Sequence, residues 1–224
     1  MKLVHIKALI IKFVRALTYL RLYPKYKNFT MASRKVFWNN MLIAGSRRHV
    51  QGCIIECGVW RGGMSAGIAD VMGSEREYFL FDSFEGLPPV TELDGEAAKA
   101  WQSDKDSLTY FDNCSASIEF ADQAMKLSTA NKHTLVKGWF KDTVTCFTPP
   151  VPIAILRLDG DWYDSTLVVL RSLWQFMAPN VVVIIDDYYA WDGCSRAVHD
   201  FLSEIKSTAR LKQSHGICII ELRN

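Results

Sequence analysis

Four aspartates stand at the ends of two apolar runs. Asp159 and Asp161 follow PIAILRL in DGDWYDST, and Asp186 and Asp187 close NVVVIIDD. Continuous apolar runs of this kind read as strands buried on both faces of a parallel sheet. In open α/β sheets the ligand crevice lies beyond the carboxyl ends of the strands. The acidic residues therefore fall where such folds do chemistry. Carboxylates crowded together repel one another unless a cation or a proton neutralises them. Their oxygens suit a hard divalent ion such as Mg²⁺ or Ca²⁺.

A second set lies upstream, in GCIIECGVWRGGMSAGIADVMG. CIIEC predicts a short strand, GVWRGG a glycine turn, and Met64 to Met72 a helix that Gly73 ends. A strand, a glycine turn and a helix make the nucleotide-binding half of a Rossmann-like unit. Gly58 lets the chain turn sharply, and Gly62 and Gly63 allow close approach to the helix start. The GxGxxG spacing is absent, so a pyrophosphate is not specifically indicated. Glu56 at the strand end would repel a phosphate and attract an ammonium or a hydroxyl. Asp82 ends the next strand, EYFLFD, where an acidic residue takes ribose hydroxyls in such folds. Capping a helix is the plainer reading for Asp82 and Ser83. Trp139 and Phe140 follow the strand HTLVKG and are candidates to wall an adenine ring or to fill the core.

The elements that must position these residues alternate between strand and helix. Helices are predicted from Thr30 to His49, from Ser115 to Leu127, over WFKDTVTCF, from Asp164 or Ser165 as cap through Phe176, and from Gly193 to Ile205. Pro179 is expected to break the chain, and GICIIEL reads as a last, hairpin-like antiparallel edge strand. The pattern predicts an α/β fold: a mostly parallel seven-stranded sheet, helices on both faces, and a last antiparallel strand. Residues 85–115 are polar and turn-rich, long for a connection, and read as a lid or substrate loop. Trp101, Tyr110 and Phe111 are placed to close over a ligand or to pack in the core. Residues 1–49 are assigned to an N-terminal amphipathic helical extension and residues 50–224 to the catalytic domain.

A chain of 224 residues suffices for one such domain. A net charge of +2 gives no argument for nucleic acid, and no nucleic-acid motif is present. The six cysteines lack pairing or metal-ligand spacing and read as core residues in a reducing, cytoplasmic compartment. Residues 1–23 carry Leu3, Ile6, Leu9, Ile10, Phe13, Val14 and Leu17 at helical spacing, with Lys12 and Arg15 on the other side. Charges interrupt any span long enough to cross a bilayer, and no signal-peptide cleavage site is evident. Two readings stay open. The helix packs on the domain or on a second subunit of a homo-oligomer, or it lies peripherally on the inner face of a membrane.

The segments IIECGVWRGG, FLFDSFEGLP, KGWFKDTV, ILRLDGDWYDST and VVIIDDYYAWDGCSRAV, in this order, resemble the macrocin O-methyltransferase (TylF-type) family. The resemblance runs from about Gly52 to about Phe201. It implies a Rossmann-like class I methyltransferase that uses S-adenosylmethionine (SAM) and Mg²⁺, with a sugar or glycan hydroxyl as acceptor. It implies Asp159, Asp186 and Asp187 as metal ligands and Asp161 as general base. The same resemblance sets Glu56, Gly58, Val59, Trp60, Arg61, Gly62 and Ser65 at the methionine side of SAM. Asp82 with Ser83 would take its ribose, and Asp159 would also touch the cofactor. A metal-dependent glycosyltransferase that holds a nucleotide sugar on DGD, and a catechol-type O-methyltransferase, remain as alternatives.

Overall fold

The computed structural model describes residues 17–222. The apolar positions from Leu3 to Val14 on which the amphipathic reading rests lie outside the described residues. No helix among the described residues is long and apolar enough to cross a membrane.

The strands are β1 Cys53–Cys57, β2 Glu77–Asp82, β3 Lys132–Lys137, β4 Ile153–Leu158, β5 Met177–Ile185, β6 Arg210–Ser214 and β7 Ile217–Glu221. They form one seven-stranded sheet in the order β3-β2-β1-β4-β5-β7-β6. β1 to β5 pair parallel, and β7 runs antiparallel to both β5 and β6. The main helices are α1 Leu22–Tyr26, α2 Arg34–Ser46, α3 Gly63–Met72, α4 Gly95–Ser103, α5 Ile118–Leu127, α6 Tyr163–Leu173 and α7 Asp192–Glu204.

Successive side chains of a strand point to opposite faces, and here both faces are buried. Ile54, Leu80 and Val182 enter one core, with Phe37 and Met41 of α2, Ile68 of α3 and Met125 of α5. Ile55, Phe81, Leu156 and Val183 enter the other, with Leu170 of α6 and Val198 and Phe201 of α7. This is why the central strands read as unbroken apolar runs.

Several sequence expectations change. The seventh strand is β6, whose sequence RLKQS is mostly solvent-facing and carries no apolar run. It takes the sheet edge, where charge is tolerated and deters further pairing. The apolar final strand β7 is therefore not the edge but lies inside it, paired on both sides. Pro179 does not break the chain. β5 begins at Met177, and the register with β4 jumps from Ile153↔Met177 to Ile155↔Val182. The additional residues form a bulge with Asn180 left-handed at φ 63°, and a proline there forfeits no ladder bond. α6 is not capped by Asp164 or Ser165, which lie within its first turn. Its Tyr163 N–H donates instead to Asp94 Oδ1 at 2.7 Å, from the loop before α4.

The ladder runs on past the strands into the site. Gly58 N–H donates to Phe81 O, Asp159 N–H to Cys57 O and Asp186 N–H to Leu158 O. The turn after β1 thus packs directly on the end of β4. Gly58 has φ 92°, and a Cβ there would lie 1.7 Å from Asp159 O. Gly58→Ala combines a left-handed strain with a backbone clash. It should lower stability by more than about 3 kcal/mol, read as a fall in urea midpoint at constant m-value. An unchanged midpoint would contradict this packing.

Candidate active site

A cleft of about 420 Å³ opens at the carboxyl ends of β1, β2, β4 and β5. Its floor is set by Arg157, the next-to-last residue of β4. The guanidinium is 1% exposed and carries three carboxylates: Nη1 meets Glu56 Oε1 at 2.6 Å and Asp159 Oδ2 at 2.7 Å, and Nη2 meets Asp186 Oδ1 at 2.7 Å. Its Nε donates to Asn40 Oδ1 of α2 at 3.3 Å. Burial alone would lower the pKa of the guanidinium. Asp159, Asp186 and Glu56 outweigh that and raise it, so the charge is permanent. Sequence reasoning missed Arg157. An arginine inside the run AILRL is the signal that was present, because a buried charge needs partners.

Glu56 is buried and accepts from both Arg157 and Ser65 Oγ. Burial pushes its pKa up to about 7, against the pull of Arg157 and Ser65. Asp82 ties the glycine turn to β2. Its Oδ2 accepts from Val59 N–H (2.6 Å) and Trp60 N–H (2.8 Å), and its Oδ1 from Phe84 N–H (2.6 Å). Burial raises its pKa, and those three N–H groups hold it down. Ser83 shapes the following turn by donating to Gly86 O and accepting from Glu85 N–H.

Glu56, Gly58, Val59, Trp60, Asp82, Ser83, Trp139, Phe140, Asp159, Asp161, Asp186 and Asp187 all line this one cleft. Arg61, Gly62 and Ser65 do not. The Arg61 guanidinium stacks between the rings of Trp60 and Phe120, at 4.4 and 4.6 Å from their centroids. Gly62 is the left-handed residue before α3, at φ 79°, packed against Ala121. Ser65 reaches the cleft only through Glu56. Residues 29–32 and Val36, which no local motif marks, also line it, as do Trp101 and Phe111 of the expected lid segment and Trp191 of the DDYYAWDG stretch, whereas Tyr110 packs on Trp101 and does not line it.

The acidic group itself is tightly held. One oxygen each from Asp159, Asp186 and Asp187 lies within 4.8 Å of the others, close to the ~4–5 Å span of a Mg²⁺ or Ca²⁺ oxygen shell. Asp186 Oδ1 is buried, and its contact with Arg157 is not aligned as a hydrogen bond. Burial raises the pKa of Asp186 and of Asp187, which also faces Asp161 and Asp159. One guanidinium does not neutralise this many carboxylates. The donor set of three carboxylates fits a hard divalent cation.

Asp161 is left-handed, at φ 56°. Its N–H donates to Asp187 Oδ2 (3.1 Å), and its Oδ1 accepts from the Trp191 indole N–H (2.8 Å). Burial, then Asp159, pushes its pKa up to about 7, with Trp191 pulling the other way. A carboxylate whose Oδ1 is fixed by an indole N–H, 2 residues from Asp159, is suited to general-base work.

A sheet of this order with a reversed β7, and a cleft at the strand ends beside a glycine turn, is the class I methyltransferase fold. The model of the macrocin-O-methyltransferase (TylF) family matches residues 28–220, and the chain belongs to that family. It is 34% identical over 160 residues to 8-demethyl-8-(2,3-dimethoxy-alpha-L-rhamnosyl)-tetracenomycin-C 4'-O-methyltransferase of Streptomyces olivaceus, a match covering 68% of this chain and 58% of that protein. It is 31% identical over 164 residues to demethyldecarbamoylnovobiocin O-methyltransferase of Streptomyces niveus, covering 68% and 59%. The chain thus spans less than two thirds of the length of these relatives. Among solved structures, the O-methyltransferase NovP superposes with a TM-score of 0.71 at 27% identity, over 88% of this chain and 82% of that one.

Arg157 is the one partner common to Glu56, Asp159 and Asp186, so its removal strands buried carboxylates. Arg157→Met should cost about 3–5 kcal/mol of stability. The double variant Arg157→Met/Glu56→Gln should recover part of that loss in a double-mutant cycle of chemical denaturation. Additive single effects would show that the ion pair carries no coupling.

Proposed function

We propose that this chain transfers a methyl group from SAM to a hydroxyl of a sugar, with a divalent cation, most simply Mg²⁺, as a bound cofactor. The observation that carries the reading is that the glycine turn and the aspartate cluster line the same cleft. A cofactor and an acceptor hydroxyl can meet there without any covalent enzyme intermediate. Membership in the TylF family supports methyl transfer over the glycosyltransferase alternative for DGD. The relative from Streptomyces olivaceus is named for a rhamnosyl-bearing compound, which supports a sugar acceptor over a catechol.

Glu56, Gly58, Val59 and Trp60 would hold the amino-acid end of SAM, Asp82 and Ser83 its ribose, and Trp139 and Phe140 its adenine. Arg61, Gly62 and Ser65 would act behind them, by stiffening the turn and fixing Glu56. Asp159, Asp186 and Asp187 would hold the cation. A bound divalent cation would supply Lewis acidity toward the acceptor hydroxyl, and SAM an electrophilic methyl group. The residues of the chain then have three tasks. Arg157 keeps Asp159 and Asp186 in place. The aromatic walls exclude water. Asp161 accepts the hydroxyl proton on Oδ2 while Trp191 holds Oδ1. Alignment of oxygen, carbon and sulfur supplies much of the remaining rate.

Labelled-methyl transfer from SAM to a panel of glycosides should need Mg²⁺ and be abolished by EDTA. Asp161→Asn should lower kcat by a factor of about 10² or more and leave SAM affinity within about threefold by calorimetry. Asp187→Ala should raise the Mg²⁺ concentration needed for half-maximal rate. Wild-type turnover by Asp161→Asn would sink the base assignment, and activity indifferent to EDTA would sink the metal.

A further inference from the structure

The side of the cleft next to Asp161 is aromatic. Trp101, Trp162 and Trp191 pack edge to face in a closed triangle, with centroid separations of 6.0 Å (Trp101–Trp162), 5.9 Å (Trp101–Trp191) and 5.3 Å (Trp162–Trp191). Every indole N–H of the triangle is committed inside the protein. Trp101 donates to Thr109 O (3.1 Å), Trp162 to Pro88 O (2.9 Å) and Trp191 to Asp161 Oδ1 (2.8 Å). Trp162 is buried, while Trp101 and Trp191 line the cleft. What they offer a ligand is therefore carbon, on rings that cannot rotate without breaking a hydrogen bond.

A third ring, Phe111, reaches the same side and stays 48% exposed. It begins a run of consecutive non-glycine residues, Phe111 to Cys114, all with φ between 50° and 60°. Such a run is costly for L-residues and persists only where its surroundings over-determine it. Asn113 supplies that restraint. Its Nδ2 donates to Leu87 O (2.7 Å), its Oδ1 accepts from Gln102 Nε2 (3.1 Å), and its backbone O accepts from Leu87 N–H (3.0 Å).

We propose that Trp101, Trp191 and Phe111 form the acceptor subsite, a rigid wall on which the C–H face of a pyranose ring stacks while its reacting hydroxyl is held at Asp161. This deepens the methyl-transfer reading and rests on it. A pyranose matches the cleft because it has an apolar C–H face and hydroxyls around its edge. The wall here is carbon, and the Asp161 carboxylate adjoins its edge at the Trp191 N–H. Trp191 belongs to both at once: its ring lines the wall and its N–H fixes Asp161. It is thus a positioning residue that keeps the stacked ring and the base in register.

The test is saturation-transfer NMR on the full chain with S-adenosylhomocysteine, using the methyl glycosides of rhamnose, glucose, galactose and mannose as probes. Calorimetry of S-adenosylhomocysteine is run in parallel. At least one glycoside should receive saturation, strongest at the C–H protons of one ring face. Trp101→Ala should cut that signal at least fivefold with unchanged S-adenosylhomocysteine affinity, and Trp101→Phe should restore part of it. Trp191→Phe should keep the sugar signal and the acceptor KM but lower kcat at least tenfold. The proposal is overturned if no glycoside contacts the wild type, if Trp101→Ala matches it, or if Trp191→Phe acts on KM rather than kcat. Normal S-adenosylhomocysteine binding without sugar contact overturns only this subsite. Absence of S-adenosylhomocysteine binding overturns the methyl-transfer reading beneath it.

Discussion

One buried guanidinium organises this molecule's site. Arg157 stands at the centre of the sheet and takes Glu56 from β1, Asp159 from the end of β4 and Asp186 from the end of β5. Three adjacent strand ends would otherwise present carboxylates to one another in a poorly solvated space. The arginine makes that arrangement tolerable without quenching it, because the carboxylates outnumber it. The residual negative charge is what a cation and a sulfonium cofactor would find attractive. The glycine-turn end and the aspartate end of the cleft thus share one counter-ion and are electrostatically one site.

The backbone delivers these groups with little freedom. The parallel ladder continues beyond the strands through Gly58, Asp159 and Asp186, so the site residues sit on the last rungs of the sheet rather than on free loops. Gly58 permits the closest approach, because any side chain there would strike Asp159 O. Asp161 takes a left-handed backbone, and its two hydrogen bonds, to Asp187 and Trp191, hold it there. Strain is concentrated where geometry matters, at Asp161 and in the run Phe111 to Cys114, and is absorbed by rigid surroundings.

The loop between β2 and α5 ties the far side of the cleft to this frame. Asp94 caps α6 through Tyr163 N–H and is itself held by Thr91. Pro88 O accepts from Trp162, and Trp101 closes the indole triangle. A segment that reads from sequence as polar and turn-rich is therefore anchored at several points, and it brings Trp101 and Phe111 to the cleft.

Local chemistry made much of this legible. Strand runs buried on both faces need continuous apolar sequence, so β1, β2, β4, β5 and β7 were readable, as was the turn with its glycines. Asp159, Asp161, Asp186 and Asp187 were readable because a strand end followed by an acid is a short-range pattern. The edge strand β6 was not, since an edge needs no apolar run, and the bulge that spares Pro179 was not, since it depends on register with β4. Contacts across 50 residues or more leave no spacing to read. Arg157 on Glu56, Asp94 on Tyr163 and the packing of Trp101 on Trp191 are of that kind. For the same reason the inward turn of Glu56, and the outward turn of Arg61 onto Trp60 and Phe120, were decided by the fold. The sequence by itself determined the buried strands, the turn and the acids at the strand ends. Only the tertiary structure decided which of those acids lie within reach of one another, which face the cleft, and which rings stand beside them.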